Sequence, residues 1–262
     1  MVAIMYQSYF NMLPTKGKEL NEMTREEARR KIIFALDVDK LADVAVWAER
    51  LSGKVGMFKV GKELFTTAGP AAVEAVKQHG GEVFLDLKYH DIPNTVAQAM
   101  LAAGQHGVKL ANLHALGGAE MMEKASQAVR KEFSGTARPQ LLAVTILTSS
   151  TQETLQAVGI DRPVEEMVVR LARLAKASGM DGVVASPLEI EAIRSACGPD
   201  FLIVTPGVRP SFAAVDDQKR IMTPAEAVKA GADYLVIGRP IAKAADPVQA
   251  AELIVDEIVA GA

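Results

Sequence analysis

One short apolar run carries much of the chemistry open to this chain. Asp86 and Lys88 stand two residues apart among Val83, Phe84, Leu85 and Leu87, and Asp91 follows three residues after Lys88. Residues two apart on an extended chain face one side, so Asp86 and Lys88 are predicted to point together while Leu85 and Leu87 point away. A charge in such a strand costs on the order of several kcal/mol in desolvation unless it is paired. Lys59, inside the apolar stretch 57–60, is the cation expected beside Asp86. A lone Asp-x-Lys would read as a structural ion pair. Lys59, Asp86, Lys88 and Asp91 converging on one small volume read instead as a site for acid–base and electrostatic work. A second set suits an anion: Thr205-Pro206-Gly207-Val208-Arg209 and Ile237-Gly238-Arg239-Pro240 each join a glycine for close backbone approach to an arginine whose fork matches phosphate oxygens.

Something must bring these residues together. The chain repeats a short apolar run, a polar or glycine-containing turn and an alanine-rich stretch with helical spacing, which is a βα unit. Eight such runs occur, at 32–38, 57–60, 83–87, 108–114, 141–147, 182–185, 201–205 and 234–238. Their spacing centres near the roughly 30 residues a βαβ unit needs, and each run is almost uniformly apolar, as parallel strands covered on both faces are. The expected fold is a closed (β/α)₈ TIM barrel forming a single domain over 31–262, with 1–30 a peripheral extension. Thr24, followed by Glu26 and Glu27, could cap a helix in that extension. A doubly wound dinucleotide-binding sheet would want G-x-G-x-x-G after the first strand, where the chain reads Asp37-Val38-Asp39-Lys40. In a (β/α)₈ barrel chemistry sits at the C-terminal ends of the strands, and the polar residues there are Asp37, Lys59, Asp86, Lys88, Asn112, His114, Thr145, Thr148, Ser186, Arg209 and Arg239. The two glycine–arginine segments fall after strands seven and eight, where many such barrels hold phosphate.

Composition bounds the rest. Of 262 residues, 49% are hydrophobic and 23% charged, which suits one sizeable soluble core. With 29 Lys+Arg against 32 Asp+Glu, scattered along the chain, there is no basic stripe for nucleic acid. No apolar run approaches the roughly 20 residues of a membrane span. The single cysteine, Cys197, allows no internal disulfide, so the cytoplasm is the expected compartment. The stretch between Arg209 and Arg220 is too long for a minimal turn and is expected to act as a lid carrying Gln218 to the ligand. No cofactor or metal is expected: His79, His90, His106 and His114 are dispersed and no Cys/His ligand spacing occurs.

These residues closely resemble the orotidine 5′-phosphate decarboxylase family, whose core signature is D-x-K-x-x-D-I-x-x-T. The chain has Asp86-Leu87-Lys88-Tyr89-His90-Asp91-Ile92-Pro93-Asn94-Thr95. Ala35-Leu36-Asp37, Phe58-Lys59-Val60-Gly61-Lys62-Glu63, Val144-Thr145-Ile146-Leu147-Thr148-Ser149 and the two glycine–arginine segments extend the similarity over roughly 32–258. The resemblance implies decarboxylation of orotidine 5′-phosphate to UMP, the last step of pyrimidine nucleotide synthesis, without a cofactor. It implies that Asp37 and Lys59 bind the ribose, Lys59 also steadying Asp86, and that Lys88 protonates the carbanion left at C6. Thr148 would meet the pyrimidine edge, and Arg209, Gln218, Gly238 and Arg239 the phosphate. A homodimer is implied too, with Asp91 and Thr95 reaching into the partner's site. Two alternatives remain on the same scaffold. One is a Mg²⁺-dependent sugar-phosphate decarboxylase or aldolase, which would be expected to carry an acidic residue where this chain has Lys59. The other is a non-catalytic nucleotide-phosphate-binding barrel.

Overall fold

The computed structural model describes residues 23–213 and 222–261. Eight strands, β1 (Ile32–Leu36), β2 (Met57–Gly61), β3 (Val83–Tyr89), β4 (Leu110–His114), β5 (Gln140–Val144), β6 (Gly182–Val184), β7 (Leu202–Pro206) and β8 (Tyr234–Ile237), alternate with helices. They form a closed barrel in chain order, and every neighbouring pair is parallel, including β1 with β8. The expected fold and its eight strands are what the chain forms.

The strands divide their side chains between two apolar layers. Inside, Ile33, Met57, Phe84, Leu110, Leu142 and Val204 meet across the barrel and fill it. Outside, residues such as Phe34, Leu85, Ala111 and Ile203 pack against the helices. Full burial of side chains this large contributes about 1.5–3 kcal/mol each, so the closed, doubly covered sheet is the dominant stabilising element. The helices match it: Val164–Ala177 buries Met167, Val168, Leu171, Ala172 and Ala175, a stripe with the period of an α-helix. At the start of β6 a Cβ on Gly182 would come within 2.3 Å of the Leu202 carbonyl oxygen, so only glycine lets β7 approach.

Two aspartates clamp the N-terminal end. Asp181, just before β6, accepts from both terminal nitrogens of Arg138 at 2.9 Å and from the Leu141 amide at 2.8 Å. Asp233, just before β8, accepts from Arg194 at 2.7 Å and from the Ile203 amide at 2.8 Å. Each ties its own strand to its neighbour through the backbone amide of that neighbour's second residue. The expectation for 1–30 falls largely outside the described residues. In its described part Thr24 forms a capping box with Glu27 and starts the helix Arg25–Arg30. That helix buries Ala28 and pairs Arg25 and Arg29 with Glu252 of the final helix, Pro247–Gly261.

Candidate active site

Above the apolar filling, the inward positions change character. Ala35 of β1 pairs in register with Lys59 of β2, and Gly61 with Asp86 of β3. The lysine and the carboxylate therefore rise side by side toward the mouth. Lys59 Nζ lies 3.2 Å from Asp37 Oδ1 and 3.8 Å from Asp86 Oδ2. Lys88 Nζ donates to Asp86 Oδ1 at 2.5 Å. Asp37, at the open end of β1, has a side chain 65% exposed, whereas that of Asp86 is only 11% exposed. Burial pushes the Asp86 carboxyl up, but the ammonium groups of Lys88 and Lys59, with the hydrogen bonds from Lys88 and Asn112, outweigh it and hold the group below the usual carboxylate range. Asp86 is thus an anion kept in a mostly buried place by two cations.

Strand alternation is not what delivers Lys88. Phe84 and Leu85 pair with Leu110 and Ala111, but the next partner of Leu113 is Tyr89, so four steps along β3 span two along β4. Within this bulge Lys88 has φ of +51°, the only positive value at a non-glycine residue among those described. The left-handed region costs an L-residue about 1–2 kcal/mol, and such strain persists only where neighbours hold it. Asn112, fully buried on β4, does the holding. Its Oδ1 accepts the Lys88 amide at 2.8 Å and its Nδ2 donates to Asp86 Oδ1 at 2.6 Å. Sequence reasoning places Asn112 at a strand end and assigns it no part. Its only signal is a polar side chain in an otherwise apolar run.

Beside this row lies a cavity of about 240 Å³, bounded by Lys59, Asp86, Lys88 and Thr148 and walled by Val144, Ile146, Val184, Pro206 and Val236. Charged groups line one side and hydrocarbon the other, as a flat, partly polar ring would need. Asp91 does not line it. The carboxylate of Asp91 is exposed, its Oδ1 accepting the Ile92 amide at 2.6 Å, and Thr95 is exposed in the first turn of the helix Pro93–Gln105. Thr145 is buried, with its hydroxyl donated to the Val184 carbonyl at 3.2 Å, and does not line the cavity. Ser186 caps the turn after β6 together with Glu189. His114 sits 5.7 Å, ring to ring, from His90, and burial together with His90, Lys62 and Lys88 pushes its pKa down.

The two glycine–arginine segments stand at the same end. Gly238 precedes the short helix Arg239–Ala242, and a Cβ there would lie 3.2 Å from Ala35 Cβ and 3.3 Å from Asp37 Oδ2. Glycine thus allows the turn after β8 to settle onto the end of β1. Gly207 takes φ of +85° after β7, and the Arg209 amide donates to the Met222 carbonyl at 3.1 Å, closing the base of the intervening segment. Gln218 lies outside the described residues, as does most of the expected lid. Among the described residues no cluster of three or more His, Cys, Asp or Glu is arranged to hold a metal ion, and no helix is long and apolar enough to cross a membrane.

Comparison with known proteins gives a consistent result. The family model described as "Orotidine 5'-phosphate decarboxylase / HUMPS family" matches residues 30–254. An orotidine 5′-phosphate decarboxylase of Trichlorobacter lovleyi is 88% identical over 239 residues, covering 91% of this chain and 99% of that protein. The corresponding protein of Pelobacter propionicus is 74% identical over the same shares. Among solved structures, orotidine 5′-phosphate decarboxylase from Lactobacillus acidophilus superposes with a TM-score of 0.78 at 39% identity, over 87% of this chain and 99% of that one.

Proposed function

The chain belongs to the orotidine 5′-phosphate decarboxylase family, and from that premise we propose how its mouth residues work. The reaction is the decarboxylation of orotidine 5′-phosphate to UMP, in pyrimidine biosynthesis. When the C6–carboxylate bond breaks, its electron pair stays on C6 in the plane of the ring, where the π system of the base cannot take it up. The protein must stabilise a localised carbanion. In our reading the Lys88 ammonium supplies opposite charge at that point and then its proton to C6, leaving UMP and a neutral amine that solvent reprotonates. Asp86 faces the departing carboxylate, so their repulsion falls as CO₂ leaves. The observation that carries this reading is the Lys59, Asp86, Lys88 row beside an apolar cavity, with a backbone bulge devoted to Lys88.

The remaining assignments follow the same chemistry. Asp37 and Lys59 take the ribose hydroxyls, Thr148 the edge of the base, and Arg209, Gly238 and Arg239 the phosphate, with Gln218 joining them from outside the described residues. Phosphate binding far from C6 can be spent on closing the site and excluding water. Asp91 and Thr95 serve the neighbouring site of a homodimer. Their exposure supports this, as does that of nearby Ile92, an apolar side chain 66% exposed. A monomer in sedimentation at micromolar concentration would remove that part. A cytoplasmic location agrees with the reaction and the lone cysteine.

The experiment is a spectrophotometric decarboxylation assay on orotidine 5′-phosphate with EDTA present. Turnover should survive chelation. Lys88→Ala should lower kcat on the order of 10⁴-fold, the combined scale of a lost proton donor and a lost electrostatic contact, while UMP still binds. Normal decarboxylation by Lys88→Ala would end the proton-donor assignment, and loss of activity with EDTA would favour metal-assisted chemistry.

A further inference from the structure

We infer that Asn112 is a positioning residue for the reaction, aiming Lys88 and Asp86 at the substrate through the two ends of one side-chain amide. This rests on the reading of Lys88 and Asp86 given above.

Between Leu85 and Tyr89, β3 loses its regular pairing with β4, and a backbone amide there would have no partner. Asn112 Oδ1 supplies the missing acceptor for the Lys88 amide at 2.8 Å, and so anchors the residue that carries the left-handed φ of +51°. The same side chain sends Nδ2 to Asp86 Oδ1 at 2.6 Å. Only an amide of this length offers both an acceptor and a donor: aspartate would bring a second acceptor and a charge, and leucine neither. The orientation of the amide is fixed too, since the flipped form would set two acceptors together at Asp86 and two donors together at Lys88.

The arrangement also divides the Asp86 carboxylate. Oδ1 receives both Lys88 Nζ and Asn112 Nδ2, while Oδ2 has, among the described residues, only Lys59, at 3.8 Å. The lightly held oxygen is left for the ligand, and the ammonium is drawn to a fixed point. The charged and titratable groups around Asp86 are Lys88 on its own strand, Lys59 on β2 with Asp37 behind it, and His114 on β4. None of these fixes the backbone of Lys88, whose amide is held instead by the side chain of Asn112.

Two variants of the full chain test this. Asn112→Ala removes both contacts. Asn112→Asp keeps size and the acceptor for the Lys88 amide but loses the donor to Asp86. Each is expected to lower kcat on the order of 10²-fold, the scale of a small misplacement of reacting groups. Affinity for UMP should stay within about threefold, because the distant phosphate and ribose contacts are untouched. The acid limb of the pH profile of kcat/KM should move upward by roughly half a pH unit or more in Asn112→Ala, and further in Asn112→Asp, where a second carboxylate stands against Asp86. Unchanged kcat and acid limb in a folded variant would overturn the inference, as would kcat and UMP affinity falling in proportion. If Asn112→Ala does not fold, the isosteric Asn112→Asp decides. Failure of both to fold also counts against it, because Asn112 is then required for the barrel itself. Lys88→Ala separates the two levels: if it is inactive while the Asn112 variants are normal, only this inference falls.

Discussion

The two ends of the barrel use the same kinds of charge in opposite ways. At the N-terminal end Asp181 accepts a two-pronged Arg138, a further bond from Arg130 at 3.2 Å and the Leu141 amide. Both its oxygens are saturated by donors of fixed geometry. At the mouth, Asp86 has one oxygen with two donors and another with, among the described residues, only a lysine at 3.8 Å. Arginine forks lock the first carboxylate, and lysines, point charges on flexible stems, surround the second. Backbone strain at a non-glycine residue is found among the described residues only at the mouth, at Lys88. A saturated carboxylate holds strands together. An unsaturated one, kept charged by cations that a ligand can also use, keeps capacity for chemistry.

Exchanging the roles of the two ends is the way to break this contrast, and the largest effect is expected at the clamp. Asp181→Ala leaves the Arg138 guanidinium and the Leu141 amide without their partner, and should cost about 3–5 kcal/mol of unfolding free energy. Once folded, that variant should keep its kcat/KM. Urea unfolding read beside steady-state kinetics would show it, and a lost kcat/KM with unchanged stability would erase the division of labour. At the mouth the pattern should reverse. Arg239→Ala should lower kcat/KM by about 2–3 kcal/mol, the worth of charge-assisted hydrogen bonds to phosphate, without moving the urea midpoint.

The smallest effect sharpens the rule that donors decide the state of a carboxylate. Glu189, after β6, accepts one hydrogen bond, from the Ser186 amide at 2.8 Å. Burial, opposed by that bond and aided by Glu165, pushes its pKa up from 4.5 to about 7. The fold therefore holds this proton more tightly than the unfolded chain does. The stability it contributes is complete below about pH 4.5 and is lost as pH rises toward 7. Glu189→Gln, which keeps an acceptor for Ser186 without the charge, should exceed the parent by about 1–2 kcal/mol at pH 8, after allowance for solvent screening. At pH 4 the two should coincide. Parallel stability curves across that range would mean that Glu189 is ionised in the fold.

Much of this was written locally. Eight apolar runs at βα spacing fix a parallel barrel because strands covered on both faces must be apolar throughout, and that requirement shows in every run. A charge within such a run, as at Lys59 or Asp86, stands out because it must be paired or functional. Those signals belong to single segments, so the chain alone determined the fold and marked Lys59, Asp86 and Lys88 as charges that must meet.

Other features arise only between segments. The bulge at Lys88 exists because β3 and β4 fall out of step, and the buried amide of Asn112 that makes it tolerable sits 24 positions away. Nothing in the pattern D-x-K announces a left-handed lysine, since a regular strand would already be expected to set Asp86 and Lys88 on one side. Likewise, Asp91 stands exposed although its spacing groups it with Lys59 and Asp86, because the chain has left the strand before reaching it. Residue types and periodicity are properties of one stretch of backbone. Register, strain and the sharing of a hydrogen-bonding group depend on which two stretches meet, and that was settled only when the barrel closed.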